Sequence, residues 1–239
     1  MFNVGFTAGK ATDENRSDWS GNAARPIAWS AWYPTRDSAE QPTASSLTEA
    51  TPFLPEPIAR DAGLADDQPA FPVVLMSHGT GGTAAGLSWL AQRLAQQGHI
   101  VIGANHHGNT ATEPYRAEGF LCWWERARDL TVLMDHHAAG PFSGRIDFDR
   151  IHVAGFSLGG YTALSLLGAI TDISVFTDWA RGKPWGNGPR EFPDIGEKVP
   201  ALLKENPVFR ASWDRQSDSY RDSRIKAAFV FAPAPPSAA

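Results

Sequence analysis

Short apolar runs alternate with amphipathic stretches along most of the chain. The runs at 71–76 and 99–104 are almost wholly apolar, as expected of strands that are buried on both faces of a sheet. The stretches after them repeat apolar residues at intervals of three and four, which is typical of helices that pack one face on a core. The pattern predicts strands at 26–33, 71–76, 99–104, 151–154 and 225–232, and helices at 84–97, 123–137 and 161–167.

This order of strands and helices predicts an α/β fold, with a mostly parallel sheet and helices on both of its faces. No internal repeat is visible, so we expect a single domain over residues 1–239. The polar segment 35–70 predicts a surface excursion with one short helix near 56–61. The segment 172–224 predicts an insertion or cap over a pocket that its tryptophans could line, namely Trp179, Trp185 and Trp213.

Composition narrows the classes of function. The net charge is −5 and no run of Lys or Arg forms a basic stripe, which argues against a nucleic-acid partner. No apolar run approaches the ~20 residues that a membrane-spanning helix needs. Residues 1–4 lack the basic and apolar regions of a secretory signal, so we expect a cytoplasmic protein.

Neither a disulfide nor a metal site is indicated. Cys122 is the single cysteine, so no intramolecular disulfide can form. The histidine pairs at 106–107 and 136–137 lack the spacing of a metal-binding helix. We therefore expect no metal and no cofactor.

The sharpest motif is G-x-S-x-G at Gly155, Ser157 and Gly159. A predicted strand precedes it and a predicted helix follows it. In a nucleophile elbow, this abrupt strand-to-helix turn forces the central residue into a strained conformation and exposes its oxygen at the positive end of the helix. Ser157 is therefore the predicted nucleophile.

A second glycine-rich turn, S-H-G-T-G-G at 77–82, follows the buried strand. Acyl transfer uses two backbone N–H groups to hold the developing oxyanion, one from the residue after the nucleophile and one from an earlier loop. Leu158 fits the first role, and Thr80, which has a glycine on either side, is predicted for the second. The alternative interpretation is a phosphate-binding loop, but neither of the common nucleotide-binding glycine motifs is present.

Four segments in this order resemble one branch of a known superfamily: VVLMSHGTGG, ANHHGNT at 104–110, WWERARDLTVLMDH and VAGFSLGGYTAL. They resemble the predicted dienelactone-hydrolase and platelet-activating-factor acetylhydrolase-like branch of the α/β-hydrolases, as do RPIAWSAWYP and SRIKAAFVFAPAP. The resemblance covers nearly the whole chain apart from 35–68 and about 172–220. It implies a hydrolase of carboxylic esters or lactones that works through an acyl-serine intermediate, because Ser157 stands where dienelactone hydrolases have a cysteine.

The partners of the nucleophile are missing from their usual places. A serine needs an adjacent base, and in α/β-hydrolases the acid and the histidine follow the serine along the chain. All seven histidines precede Ser157. Only His106 and His107, which follow the C-terminal end of a predicted strand, are candidates within the chain. No carboxylate follows the last predicted strand directly, where some acetylhydrolases have their acid.

These absences lead to two hypotheses. The first is an ester hydrolase that lacks its C-terminal segment, whose acid and histidine would lie in a missing part or in a separate chain. The protein would then hydrolyse a small-molecule ester only when that segment is present. Without the segment, the strand at 225–232 would be an exposed edge of the sheet. The second is a catalytically inactive α/β-hydrolase-like scaffold that binds a ligand or a partner. A peptidase of the same fold ranks below both.

Two further pairs of residues complete the prediction. Arg126 and Asp129 lie three residues apart on one face of a predicted helix, which favours a surface ion pair. Trp123 and Trp124 are predicted to belong to the core or to a pocket wall.

Overall fold

The computed structural model describes residues 1–40, 57–174 and 188–233 of the chain. These residues form a seven-stranded sheet with helices on both faces. The strands are β1 (Asn3–Ser17), β2 (Ala24–Thr35), β3 (Ile58–Arg60), β4 (Phe71–Ser77), β5 (Ile100–Asn105), β6 (Ile146–Phe156) and β7 (Ile225–Phe231). The helices are α1 (Ser88–Gln96), α2 (Ala117–Leu121), α3 (Glu125–Ala139), α4 (Leu158–Leu166), α5 (Ile195–Glu205) and α6 (Pro207–Trp213).

The sheet is mostly parallel, as the sequence predicts. Its order is β3-β1-β2-β5-β4-β6-β7. The strands β5, β4, β6 and β7 run parallel to one another, whereas β2 is antiparallel to both β5 and β1. The carboxyl ends of β4, β5 and β6 therefore meet at one edge of the sheet, where ligands bind in open α/β sheets.

Strand β4 explains why the run at 71–76 is wholly apolar. Phe71, Val73 and Leu75 face the cluster that contains the apolar residues of α3 and α4. Val74 and Met76 face the cluster that contains α1. Successive side chains of a strand point to opposite faces, so a central strand covered on both sides needs apolar residues at every position.

The sequence pattern missed β1, which pairs with β2 over nearly its whole length. A Cβ on Gly5 would lie 2.3 Å from Cε2 of Tyr33, and a Cβ on Gly9 would lie 2.7 Å from Cζ2 of Trp29. Aromatic rings of β2 therefore lie across the two glycines of β1. Those glycines interrupt the apolar alternation that would have revealed the strand.

The predicted helix at 56–61 is wrong. Residues Ile58–Arg60 form the short strand β3, which pairs in parallel with β1. Asp61 then adopts a positive φ of 49° and donates its backbone N–H to the carbonyl of Phe6 at 2.8 Å. The unpaired edge of β1 supplies hydrogen-bond partners for this segment, which is too short to form a stable helix.

Three other boundaries differ from the prediction. The predicted helix at 84–97 begins as a 3₁₀ turn, Ala84–Leu87, before α1. Strand β6 starts earlier than the predicted 151–154, and helix α4 starts at Leu158 instead of 161. The earlier start of α4 places it directly after Ser157. Strand β7 forms one edge of the sheet within the described residues.

A third apolar cluster lies apart from the two faces of the sheet. It joins α2, the first residue of α4 and the helices α5 and α6. Its aromatic residues include Trp19, Phe120, Trp123, Trp124 and Phe209. Trp123 and Trp124 are thus buried in a core, as predicted. No helix of the described ranges is both long and apolar enough to span a membrane.

Candidate active site

Ser157 occupies a strained turn between β6 and α4. Its backbone has φ 52° and ψ −118°, a conformation that is unfavourable for a residue with a Cβ. Two glycines allow the turn to close: a Cβ on Gly155 would lie 2.0 Å from the carbonyl oxygen of Gly159, and a Cβ on Gly159 would lie 1.9 Å from that of Ser77. The G-x-S-x-G spacing is therefore required by the close approach of three backbone segments.

Hydrogen bonds fix the backbone on both sides of the serine. The N–H of Ser157 donates to the carbonyl of Phe231 at the end of β7, at 3.2 Å. The N–H of Gly160 donates to the carbonyl of Ser157 at 2.8 Å. Helix α4 begins at the next residue, so its positive end points at the serine. The serine itself is half-buried.

The loop after β4 lies directly against this turn. A Cβ on Gly79 would lie 3.3 Å from the Cβ of Ser157. Among the described residues, neither the backbone N–H of Thr80 nor that of Leu158 has a hydrogen-bond acceptor. The predicted nucleophile and the loop of one predicted oxyanion donor are thus neighbours in space, and both donors are available.

Side chains at the end of β5 and in the segment after it hydrogen-bond to the same loop. Asn109 accepts a hydrogen bond from the N–H of Gly81 at 2.6 Å through its Oδ1. The hydroxyl of Tyr115 donates to the carbonyl of Gly81 at 2.8 Å. Asn105 accepts from the N–H of Ala84 at 2.9 Å. Side chains from outside the glycine-rich loop therefore help to hold its backbone.

No hydrogen bond joins Ser157 to any of the seven histidines, all of which belong to the described residues. His107 donates through Nδ1 to Glu113 at 2.7 Å, and its ring stacks on Trp19. His106 is buried, with Nε2 2.9 Å from the hydroxyl of Ser77. Both in-chain candidates for the base therefore have other partners.

Arg126 and Asp129 are not a surface ion pair, which corrects the prediction from their spacing. Both are fully buried. The carboxylate of Asp129 accepts hydrogen bonds from Arg16 at 2.7 Å, from Arg25 at 2.8 Å and from Nδ1 of His106 at 3.0 Å. Spacing along α3 could not reveal these partners of Asp129, because Arg16 lies in β1 and Arg25 lies in β2.

The charges of this buried network follow from its contacts. Although burial favours the neutral acid, Arg25, Arg16 and the hydrogen bond from His106 hold the pKa of Asp129 well below its usual value. Burial and the nearby Arg126 lower the pKa of His106 to about 3. His106 is therefore neutral at pH 7. It donates through Nδ1 to Asp129 and accepts the hydroxyl hydrogen of Ser77 through Nε2.

Arg126 lies between α3 and the loop after β4. Its guanidinium donates to the carbonyl of His78. Its Nε and Nη1 atoms have no partner among the described residues, and burial lowers its pKa to about 9. Burial, Arg126 and His106 likewise hold the pKa of His78 well below its usual value. His78 is therefore neutral as well.

The described part of the predicted cap packs beside this site. Phe192 contacts Phe120 with a ring-centroid distance of 5.0 Å, and Trp213 contacts Trp124 at 5.7 Å. Ile195 and Phe209 belong to the same apolar cluster as Leu158. Helices α5 and α6 therefore lie on the side of the sheet where the serine emerges. The other two tryptophans of the predicted cap, Trp179 and Trp185, lie outside the described residues.

No group of three or more histidine, cysteine and acidic side chains that could hold a metal ion occurs in the described ranges. Cys122 is buried, and burial raises the pKa of its thiol. A buried thiol with a raised pKa is a poor ligand and a poor nucleophile.

The strained serine turn at the carboxyl edge of a mostly parallel sheet defines an α/β-hydrolase fold. A ferulic acid esterase from Streptomyces cinnamoneus has a similar fold, with a TM-score of 0.53 and 19% identity over 96% of this chain and 72% of that chain. The sequence prediction of this superfamily and fold class is confirmed.

The sequence comparisons identify the family. The PETase family, described as PET hydrolase-like, matches residues 65–205, which is more than half of the chain. Cutinase 2 of Thermobifida cellulosilytica is 31% identical over 120 residues, which are 48% of this chain and 42% of that protein. Cutinase cut1 of Thermobifida fusca is 31% identical over 120 residues, which are 48% of this chain and 34% of that protein. The chain belongs to the PET hydrolase-like family, and its alignment spans less than half the length of these curated relatives.

Proposed function

We propose that the protein is a serine hydrolase of carboxylic esters, or of lactones, that acts through an acyl-serine intermediate. The observation that carries the proposal is the strained turn of Ser157, with φ 52°, directly against a loop with a free backbone N–H. The relatives named as cutinases and the structural neighbour named as a ferulic acid esterase support the same chemistry.

The proposed reaction has two stages. The hydroxyl oxygen of Ser157 attacks the carbonyl carbon of the ester as a base removes its proton. The oxyanion that forms accepts hydrogen bonds from the N–H groups of Thr80 and Leu158, near the positive end of α4. The bond to the alcohol then breaks, and the alcohol leaves with a proton. Water attacks the acyl-serine, releases the acid and restores the hydroxyl.

Neither candidate histidine contacts Ser157 as a base would. His106 is engaged by Ser77 and Asp129, and His107 by Glu113. We therefore propose that the base, with its carboxylate partner, comes from polypeptide outside these 239 residues, either a longer form of the chain or a separate chain.

We also propose that the segment 188–213 forms one wall of the ester-binding site. Its aromatic residues Phe192, Phe209 and Trp213 pack on the cluster that contains Leu158. An apolar wall beside a pair of polar N–H donors suits an ester, whose alkyl or aryl part needs burial while its carbonyl needs hydrogen bonds.

A fluorophosphonate probe tests the proposed nucleophile. The hydroxyl oxygen of Ser157 would displace fluoride from phosphorus, and the covalent adduct would be located by mass spectrometry of the peptide that contains the serine. Ser157→Ala should abolish labelling. Ser165→Ala, a serine substitution within the helix α4 that follows the turn, should leave it unchanged. An unlabelled wild-type protein, also in the presence of a longer form of the chain, would contradict the proposal.

A second candidate is a catalytically inactive binding scaffold, which the lack of contact between Ser157 and the described histidines favours. Turnover of a p-nitrophenyl ester separates the two functions. Multiple turnovers that Ser157→Ala abolishes would exclude the scaffold, whereas a labelled but non-turning protein would favour it for the isolated chain.

A further inference from the structure

The peptide between Gly79 and Thr80 is held by its carbonyl group. The oxygen of Gly79 accepts a hydrogen bond from Nδ1 of His78 at 2.6 Å and from the N–H of Gly82 at 3.2 Å. In a planar trans peptide the C=O and the following N–H point in opposite directions. The direction of the Thr80 N–H, the proposed oxyanion donor, is therefore set by the partners of the Gly79 carbonyl.

His78 can hold this carbonyl only in one tautomer and one ring orientation. Its Nε2 accepts the backbone N–H of His106 at 3.3 Å, so the single proton of the neutral ring resides on Nδ1 and points at Gly79. The guanidinium of Arg126 donates a hydrogen bond to the backbone carbonyl of His78. The two rings of His78 and His106 lie in contact, with centroids 5.0 Å apart. The position of His106 thus determines that of His78.

His106 is in turn fixed at both ring nitrogens. Nδ1 donates to Asp129 at 3.0 Å, and Nε2 accepts from Ser77 at 2.9 Å. Asp129 is anchored by Arg16 and Arg25, so it has no freedom to rotate. A buried, fully paired carboxylate of this kind is rigid, because breaking any one contact leaves a charge unpaired in the interior.

We propose that His106 is a positioning residue for the oxyanion hole, which acts through His78 to aim the N–H of Thr80 at the reacting carbonyl. This inference rests on the proposed function. Ser77, His106 and Asp129 have the hydrogen-bond pattern of a catalytic triad, but Ser77 has a relative exposure of 0%. These three residues therefore support the loop that carries Thr80, and Ser77 does not itself attack a substrate.

The test uses His106→Asn, which retains an amide donor near Asp129 and removes the acceptor for Ser77. His137→Asn is the matched control, because His137, on α3, is also a fully buried histidine and has Nδ1 bonded to the carbonyl of Leu133. Two readouts are measured on the full chain. They are the second-order rate of fluorophosphonate labelling at Ser157, and amide hydrogen exchange of the peptide that covers 77–83.

The expected result is specific to His106. Removal of one oxyanion donor lowers catalytic rates by about 10²–10³, so a misdirected donor should slow labelling by roughly 10-fold to 100-fold. Amide exchange in 77–83 of His106→Asn should accelerate at a temperature at which thermal unfolding curves show that both variants are folded. In His137→Asn, both readouts should stay near the wild-type values. Because labelling is measured as a rate under conditions where both variants are fully folded, irreversibly misfolded molecules reduce only its amplitude.

Two results would overturn the inference. One is wild-type labelling and wild-type exchange in His106→Asn. The other is an equal slowing in His137→Asn, since a general loss of packing would then explain both. Failure of the proposed function looks different: the wild-type protein would not be labelled even in the presence of a longer form of the chain, while exchange in 77–83 would still report whether His106 holds the loop.

Discussion

The carbonyl oxygen of Ser77 and the α-carbon of Gly159 are in such close contact that a Cβ on the glycine would lie 1.9 Å from the oxygen. The two residues belong to different motifs, one at the end of β4 and one in the first turn of α4. Their contact brings the glycine-rich loop and the serine turn together. The geometry of the site therefore depends on the absence of a single side chain.

Gly159→Ala should destabilise the protein and remove any activity of Ser157. The added methyl group would push β4 and α4 apart, and overpacking of this kind costs about 1–3 kcal/mol of unfolding free energy. Urea denaturation measures the loss. Gly196→Ala is the control, since a Cβ there meets nothing within 4 Å, and alanine favours a helix over glycine by about 1 kcal/mol. Equal stabilities for Gly159→Ala and the wild type would contradict the packing argument.

His106 should make stability depend on pH. Its pKa is about 3 in the folded protein and 6.5 in an ordinary environment. Between these values the unfolded chain binds a proton that the folded protein does not. The contribution of His106 is therefore complete above pH 6.5 and falls as the pH decreases, by about 1.4 kcal/mol per unit.

Urea denaturation at pH 7 and pH 5 isolates this contribution. The free energy of unfolding that is lost between pH 7 and pH 5 should be smaller in His106→Asn than in the wild type by about 2 kcal/mol, because the asparagine cannot take up the proton. His137, whose Nδ1 is bonded to the carbonyl of Leu133, should contribute to both proteins alike. An identical loss in the two would show that His106 is protonated as readily in the folded state as in the unfolded chain.

Some of this site was readable from the sequence and some was not. The elbow of Ser157 and the strand β4 were predicted correctly because their signals are local: a spacing of small residues and a short apolar run. The roles of His106 and Asp129 depend on Arg16 and Arg25, which are distant along the chain. Spacing within α3 could only suggest a surface pair.

The missed strand and the false helix have related causes. Gly5 and Gly9 make room for the rings of β2 and so hide the alternation of β1. Ile58–Arg60 is extended because the edge of β1 is available for pairing. Neither cause lies within the segment itself, so a pattern that is read along one segment cannot detect it.

Trp213→Ala should loosen the segment that we propose as a wall of the site. Its ring contacts Trp124 at 5.7 Å and Phe209 at 5.3 Å. Loss of a large aromatic side chain from a packed cluster costs up to about 3–5 kcal/mol, and less at this half-buried position. Hydrogen exchange should therefore accelerate in 195–213. Arg210→Ala, on the exposed side of α6, should leave exchange there near the wild-type rate, and equal protection in both variants would argue against the contact.

Added imidazole should increase the esterase activity of Ser157 if no histidine of the chain serves it. Imidazole can act as a general base in solution, and the half-buried serine is partly open to it. Hydrolysis of p-nitrophenyl acetate by the wild type should rise with imidazole beyond the rise seen with Ser157→Ala, which corrects for the reaction of imidazole with the ester. Equal rises would mean that the serine gains nothing from an external base, contrary to the proposed origin of the base.

The most direct test of the central claim is capture of the acyl-enzyme. After incubation with a p-nitrophenyl ester and an acid quench, mass spectrometry of the digested protein should find one acyl group per chain, on the peptide that contains Ser157. The adduct should be absent from Ser157→Ala. An acyl group on a different residue, or none on a folded protein that still releases p-nitrophenol, would contradict the assignment of Ser157 as the nucleophile.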